Sequence, residues 1–239
     1  MTETLSLSDL EALSRDCLTR AGVPARVAQP VAREVAAAEA AGERDHGLLA
    51  LLRDLRLIRY GRLIPDAEPF LQQLRPGAVS LDAQHGFAAA ALSGVIEDMA
   101  DLALTQGVAM VRLDRASAPG AMIRPITRLA EDGFLTLAFG RDGPGRFARP
   151  DHPVATPLRQ TPASPLATLL GIDTSLIDDG DDPVGGPIAH SAWLWAADPK
   201  IAGPSALHAD LWHAGDGAQT IPKAQIALPS DLLEQIVTA

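Results

Sequence analysis

Aromatic residues, lysine and cysteine are all scarce in this chain of 239 residues. Aromatic side chains make up 4% of a sequence that is 47% hydrophobic, so alanine, leucine, valine and isoleucine must fill most of the core. The single cysteine, Cys17, excludes an internal disulfide and favours a reducing compartment. Because Cys17 lies on the apolar face of a predicted helix, we expect a packed thiol rather than a nucleophile.

Long apolar stretches and an excess of positive charge are absent as well. No run approaches the roughly 18 apolar residues that span a membrane, and Met1–Thr4 lacks the basic start of a signal peptide. The formal net charge of −10 disfavours a nucleic-acid surface, which needs clustered lysine and arginine. These absences predict a cytoplasmic protein that binds neither membranes nor nucleic acids.

Two kinds of periodicity divide the chain. Helical spacing over residues 6–60 predicts three helices, the first opened by a capping box at Ser8–Glu11 and the third starting near Asp45. Strands and helices alternate over residues 78–139. The predicted elements there are strand 78–82, helix 88–106, strand 107–111, helix 123–130 and strand 134–139. Prolines punctuate the rest, where Ala192–Ala197 is the clear strand candidate and Ile226–Leu228 a second one.

This order of elements predicts the α/β fold class. An N-terminal helical region, residues 1–77, packs on a mixed β-sheet that is layered with helices and begins in residues 78–149. The proline-rich remainder, residues 150–239, returns to the sheet, and the three parts form one compact unit.

Two histidine-glycine pairs stand at the boundaries of predicted elements. His46-Gly47 lies in Gly42–Leu49, between two helical patterns, and His85-Gly86 lies in Asp82–Phe87, where a strand ends and a helix opens. An imidazole at such a position can exchange a proton with a bound carbonyl or imine. Either pair alone has little specificity, so their order and setting carry the information.

Taken in order over residues 6–139, these features resemble the malate/L-lactate dehydrogenase family that does not use a Rossmann fold. That family includes ureidoglycolate, sulfolactate and diketogulonate dehydrogenases and piperideine- and pyrroline-carboxylate reductases. The strands Val108–Arg112 and Phe134–Phe139 and the later segment Trp193–Pro199 are also similar to it. The resemblance implies a malate/lactate-dehydrogenase-2-like fold, a homodimer, NAD or NADP as cofactor, and His46 as proton donor and acceptor.

Several positions depart from the pattern of that family. Asp45 replaces a serine before the His-Gly pair, Ala50 replaces a frequent arginine, and Ala116 replaces a histidine in a loop that touches the nicotinamide. A glycine-rich Lys-Gly loop is missing, since Lys200 and Lys223 are the only lysines. The chain is also shorter than family members. These departures predict a truncated cofactor half in which nicotinamide binding has degraded.

The candidate catalytic residues are His46 and Asp45. A helix N-terminus disfavours the imidazolium of His46 while Asp45 favours it, so the two effects oppose each other. Arg53, seven residues later and therefore on the same predicted helix face, is a candidate to hold a substrate carboxylate, with an exposed helix arginine as the alternative. His85 is the second substrate-binding candidate. Its alternative role is to shape a turn in which Gly86 allows close backbone approach.

Two further groups of residues could bind ligands. Arg141 and Gly143, in the glycine-rich run Gly140–Arg146, are the candidates for cofactor binding, against a plain turn-rich loop whose Pro144 lacks an N–H donor. His208, Asp210 and His213 have the residue types of a zinc site but are too few by themselves, and His190 or Asp216 would have to supply a further ligand. No metal is predicted.

Two function hypotheses follow. The first is a divergent relative of NAD(P)-dependent oxidoreductases that has lost cofactor binding and works as a ligand-binding, regulatory or partner subunit. The second is an active NAD(P)H-dependent reductase of a small 2-oxo acid or cyclic imino acid, with His46 as proton donor. Loss of family residues favours the first, and the ordered match over residues 6–139 favours the second.

Overall fold

The computed structural model describes residues 2–117, 122–139, 145–157, 190–202 and 224–238. The helices within these residues are α1 (Leu7–Arg20), α2 (Ala25–Ala40), α3 (Leu48–Arg59), α4 (Ala88–Ser93), α5 (Ile96–Gln106), α6 (Ile123–Glu131), α7 (Pro199–Ala202) and α8 (Ser230–Thr238). The strands are β1 (Thr2–Ser6), β2 (Phe70–Arg75), β3 (Ala78–Phe87), β4 (Val108–Ser117), β5 (Leu135–Phe139), β6 (Arg146–Arg149), β7 (His152–Pro157), β8 (His190–Ala197) and β9 (Gln225–Pro229).

A seven-stranded mixed sheet organises the molecule, in the order β2-β3-β4-β8-β5-β6-β7. β3 and β4 run parallel, joined through α4 and α5, and the other neighbours run antiparallel. β1 and β9 form a separate antiparallel pair. The predicted α/β class and mixed sheet are confirmed, and the late strand predicted at Ala192–Ala197 enters the sheet as β8.

Two apolar clusters form the core. One lies between the sheet and helices α4 to α6, and it includes Leu81, Val111, Ile126 and Leu194. The other joins the N-terminal helices to β9 and α8. Both clusters are built mainly from aliphatic side chains, as the low aromatic content predicts. The N-terminal helices and the C-terminal segment therefore share one core.

The first helix starts differently from the prediction. Ser6 is the N-cap residue, and its Oγ accepts a hydrogen bond from the Asp9 N–H at 3.1 Å, so α1 begins at Leu7 rather than with a capping box at Ser8. Further along α1, the Cys17 thiol is buried and its pKa is raised by that burial. Cys17 is thus the packed thiol that its helical position predicts.

The α/β region contains the predicted elements with longer strands and a broken helix. β3 and β4 resume their pairing after an irregular stretch, with Gly86 opposite Ala116 and Phe87 opposite Ser117, so both strands extend well past their predicted ends. The helix predicted over 88–106 is divided at Gly94 and Val95. Strand β2 at the sheet edge was not predicted, because all six of its residues are exposed and lack an alternating pattern.

None of the helices in the described ranges combines the length and apolar character that a membrane crossing requires. Across the same ranges, no three side chains of histidine, cysteine, aspartate or glutamate gather as metal ligands would. The residues His208, Asp210 and His213 lie outside the described residues.

Candidate functional site

His46 lies in a short connection between α2 and α3. Residues Arg44–His46 form one turn of 3-10 helix, closed by a hydrogen bond from the Gly47 N–H to the Arg44 carbonyl at 3.1 Å. Gly47 has φ −92° and ψ −121°, which interrupts the helical path, and α3 starts at Leu48. The predicted helix start near Asp45 was therefore three residues early. Because His46 precedes the helix, its spacing from Arg53 does not place the two side chains on one helix face.

A buried glutamate from α2 supports this connection. Glu39 is 3% exposed, and its Oε1 accepts a hydrogen bond from the Leu48 N–H at 2.8 Å, so it caps the N-terminus of α3. Burial raises the pKa of Glu39, while the Leu48 N–H and the charge of Arg44 act in the opposite direction. The carboxylate packs directly against Gly47, where a Cβ would lie 2.7 Å from both Cγ and Cδ of Glu39 and closer still to Oε1. Position 47 therefore requires glycine.

A second buried acid, Asp54, lies on α3 against the end of β4. Asp54 is 3% exposed, and its Oδ2 accepts a hydrogen bond from the Ser117 hydroxyl at 3.4 Å, while its Oδ1 has no hydrogen-bond partner among the described residues. Burial raises the pKa of Asp54 to about 7, although the neighbouring charge of Arg53 and the Ser117 hydroxyl lower it. Asp54 therefore holds a proton through much of the neutral range, which an ordinary aspartate does not.

A buried arginine reaches the same connection from the sheet. Arg146, the first residue of β6, is 1% exposed, and its Nη2 lies 2.9 Å from Oε2 of Glu43, three residues before His46. The contact is an ion pair without hydrogen-bond geometry, since neither Nε nor Nη2 of Arg146 has a hydrogen-bond partner in the part of the chain that the structure describes. The charges of Arg146 and Glu43 thus attach the His46 connection to the sheet.

His85 lies in the irregular part of β3, opposite the end of β4. Three non-glycine residues adopt left-handed backbone angles there, Gln84 (φ 51°), His85 (φ 63°) and Arg115 (φ 50°). The Arg115 guanidinium donates two hydrogen bonds to the Asp82 carboxylate, and this pairing lowers the pKa of Asp82. The predicted close approach at Gly86 is confirmed, because a Cβ there would lie 2.6 Å from Cβ of Ala67. His85 thus lies in a strained turn next to the ion pair of Arg115 and Asp82.

The predicted site residues are only partly brought together. Asp45 and His46 share the 3-10 turn, while Arg53 is exposed on α3 and His85 belongs to the turn that ends β3. Arg141 and Gly143 lie outside the described residues. Their proposed roles stay predictions.

Sequence reasoning missed the buried charged residues Glu39, Asp54 and Arg146. For two of them, the spacing of residues in the sequence indicates burial. Glu39 continues the four-residue spacing of Val31 and Val35 on the buried side of α2, and Asp54 follows Leu51 by three residues on the buried side of α3. An acid within an apolar stripe is a signal of a buried, partnered carboxyl group. Arg146 gives no such signal.

The position of Ala116 tests whether the chain fits a nicotinamide cofactor. The family resemblance places a cofactor-contacting loop histidine there, yet Ala116 is 0% exposed within β4 and is paired with Gly86 on one side and His190 on the other. Its neighbour Ser117 is 2% exposed and is engaged by Asp54. A ligand cannot reach either side chain without displacing the core. A contact between the residue at position 116 and a nicotinamide therefore does not fit this structure.

Comparison with known protein families gives one match that covers more than half of the chain. Residues 5–148 match the family model of the malate/L-lactate dehydrogenases. A Delta(1)-pyrroline-2-carboxylate reductase of Pseudomonas fluorescens is 32% identical over 139 residues, which cover 56% of this chain and 40% of that protein. A (2R)-3-sulfolactate dehydrogenase (NADP(+)) of Chromohalobacter salexigens is 31% identical over 139 residues, which cover 58% of this chain and 41% of that protein. The matches span about two fifths of the length of these curated relatives.

Solved structures resemble the whole chain. A dehydrogenase from Sinorhizobium meliloti superposes with a TM-score of 0.77 at 20% identity, covering 100% of this chain and 99% of that one. Delta1-piperideine-2-carboxylate reductase from Pseudomonas syringae pvar. tomato gives a TM-score of 0.68 at 18% identity, covering 99% of both chains. At such low identities the likeness establishes the fold alone.

Proposed function

Because this chain belongs to the malate/L-lactate dehydrogenase family, we propose that it is a divergent member that keeps the His46 scaffold but has lost the nicotinamide contacts. It binds a small 2-oxo acid or cyclic imino acid and works as a ligand-binding or partner subunit, as a homodimer in the cytoplasm. The observation that carries this proposal is the complete burial of Ala116 in β4. The hydrogen bond from the Leu48 N–H to Glu39 holds the connection between α2 and α3 that carries His46.

A second candidate function is active reduction of the same class of substrate. The supported His46 turn favours it, as do the curated relatives, which include reductases of cyclic imino acids. In that case His46 protonates the carbonyl oxygen or imine nitrogen as the substrate is reduced. Bound NAD(P)H supplies the hydride in such a reaction.

An activity assay separates the two candidates. The isolated protein is incubated with NADH or NADPH and either pyruvate or pyrroline-2-carboxylate, beside the Pseudomonas fluorescens relative as a positive control. We expect no oxidation of the nucleotide above the buffer rate. Turnover that disappears in a His46→Ala variant would instead establish the second candidate.

A core substitution tests the observation on which the proposal rests. The Ala116→His variant restores the residue that the family resemblance implies at this position. Since Ala116 is 0% exposed, the imidazole must be forced into a packed core, and we expect the free energy of unfolding to fall by about 3 kcal/mol. Chemical denaturation measures this change, with Val108→His at an exposed position of β4 as the control. Unchanged stability of Ala116→His would mean that position 116 has room for a ligand-contacting side chain.

A further inference from the structure

A cleft lies between α2, the junction of α4 and α5, and α6. It encloses about 370 Å³, which is within the size range of small-molecule sites. Three arginines line it, Arg33 from α2 and Arg124 and Arg128 from α6, and we call it the arginine cleft. None of its lining residues belongs to the His46 connection or to α3.

The terminal nitrogens of these arginines are available to a ligand. Arg33 pairs with Glu11 through Nε at 3.4 Å, and Arg128 pairs with Asp132 through Nε at 3.2 Å. Both ion pairs are exposed and therefore contribute little stability. Within the described residues, the Nη groups of both arginines make no hydrogen bond, and the Arg124 guanidinium has neither a hydrogen bond nor an ion pair. The cleft thus presents guanidinium N–H groups from two facing helices.

Two carboxyl groups, Glu34 and Glu97, belong to the lining of the cleft. Glu34 is 9% exposed and accepts hydrogen bonds from the backbone N–H groups of Ile123 at 2.6 Å and Arg124 at 2.9 Å, so it is committed to capping α6. Burial also raises the pKa of Glu34. Glu97 is the other acidic residue in the lining. Glu11 and Asp132 each pair with one arginine of the cleft, so Arg124 is the lining arginine that makes no ion pair with a described carboxylate.

We propose that the arginine cleft binds a small organic anion that carries two or more negative charges, such as a dicarboxylate or a phosphate ester. Guanidinium groups form paired, charge-assisted hydrogen bonds with carboxylate and phosphate oxygens. A chain with a formal net charge of −10 repels anions over most of its surface, so an anion is expected to bind where arginines are grouped. The occupancy of this cleft does not depend on the proposed function of the His46 site.

Calorimetric titration of the purified protein tests this proposal, with malonate as the dicarboxylate, inorganic phosphate as the phosphate probe and acetate as a singly charged control at equal ionic strength. We expect saturable binding of malonate or phosphate, at least about tenfold tighter than acetate, because a second charge-assisted pair contributes more than 1 kcal/mol. The stronger of the two probes identifies carboxylate or phosphate as the preferred group. Absence of saturable binding by both would overturn the proposal.

Single-residue variants test whether the anion binds in the arginine cleft. Arg124→Gln keeps the backbone N–H that Glu34 uses and should weaken the preferred anion about tenfold. Arg56→Gln removes an equally exposed arginine of α3 outside the cleft and should leave the affinity within about twofold. Glu97→Gln should tighten binding, because it removes the uncommitted negative charge. Equal weakening by the two arginine variants would show a general charge effect and contradict a built site. Because Arg124 lies outside the His46 connection, weaker binding to Arg124→Gln distinguishes the arginine cleft from the His46 site.

Discussion

Raising the pH from 5 to 8 is expected to lower the free energy of unfolding of the unaltered protein by about 3 kcal/mol more than that of the Asp54→Asn variant. Asp54 is 3% exposed, one of its oxygens lacks a hydrogen bond, and burial raises its pKa to about 7. Ionising this carboxyl group in its buried position costs far more than ionising it in the unfolded chain, although the charge of Arg53 and the Ser117 hydroxyl offset part of that cost. Asparagine has nearly the same shape and cannot ionise.

The direction of the pH effect follows from the pKa of Asp54 in the unfolded and folded states. The carboxyl group of Asp54 has a pKa of 3.8 when unfolded and about 7 when folded. Between these values the unfolded chain has lost the proton while the folded protein retains it, so raising the pH lowers the free energy of unfolding. Above the folded pKa both states are ionised and the loss is complete. The stability that protonated Asp54 provides is therefore present at acidic pH and disappears as the pH reaches about 7.

Urea denaturation at pH 5 and pH 8 measures this difference for the unaltered protein and the variant. Asp101→Asn, which neutralises an exposed acid on α5, is the matched control and should retain the full pH dependence. If Asp54→Asn shows the same loss of stability as the unaltered protein, Asp54 is not the buried titrating group.

The Gly47→Ala variant is expected to lower the free energy of unfolding by about 3 kcal/mol. The added Cβ would lie 2.7 Å from Cγ and Cδ of Glu39 and closer still to its Oε1. Glu39 cannot move aside while its Oε1 holds the Leu48 N–H at 2.8 Å. The variant must therefore give up the cap of α3 or displace the turn that carries His46.

Two further variants test whether the clash with Glu39 causes the loss of stability in Gly47→Ala. Gly94→Ala serves as the matched control, because its Cβ would meet the Ala91 carbonyl at an ordinary 3.5 Å, so its stability should change by less than about 1 kcal/mol. The double variant Glu39→Ala/Gly47→Ala should lose less than the sum of the two single changes, since removing Glu39 also removes the clash. Strict additivity would indicate that Glu39 and Gly47 do not interact.

Local periodicity predicted most of the α/β region. The strand at residues 134–139 and the helix at 123–130 appear nearly as expected, because alternating and helical apolar patterns report directly which face is buried. The ends of β3 and β4 were not predictable in this way. Their extra pairs, Gly86 with Ala116 and Phe87 with Ser117, depend on a parallel partner about thirty residues away.

The role of His46 stays a prediction, and the residues that support its turn were missed. His46 and Gly47 could be identified from the family resemblance, but the start of α3 at Leu48 is decided by Glu39, which lies one helix earlier in the chain. Glu39 and Asp54 each occupy a buried stripe of a predicted helix, and this pattern could have identified them. The burial of Arg146 depends on its pairing with Ala138 in β5, which no local pattern encodes.

Binding of NADH and NADPH to the purified protein tests the central claim most directly. Calorimetric titration, with the Pseudomonas fluorescens relative as a positive control, measures whether either nucleotide binds at concentrations up to about 1 mM, near the upper end of common Michaelis constants. The proposed loss of the nicotinamide contact, which rests on the burial of Ala116, predicts no saturable binding of either nucleotide. Saturable binding that a His46→Ala variant weakens would contradict the account and indicate a working reductase site.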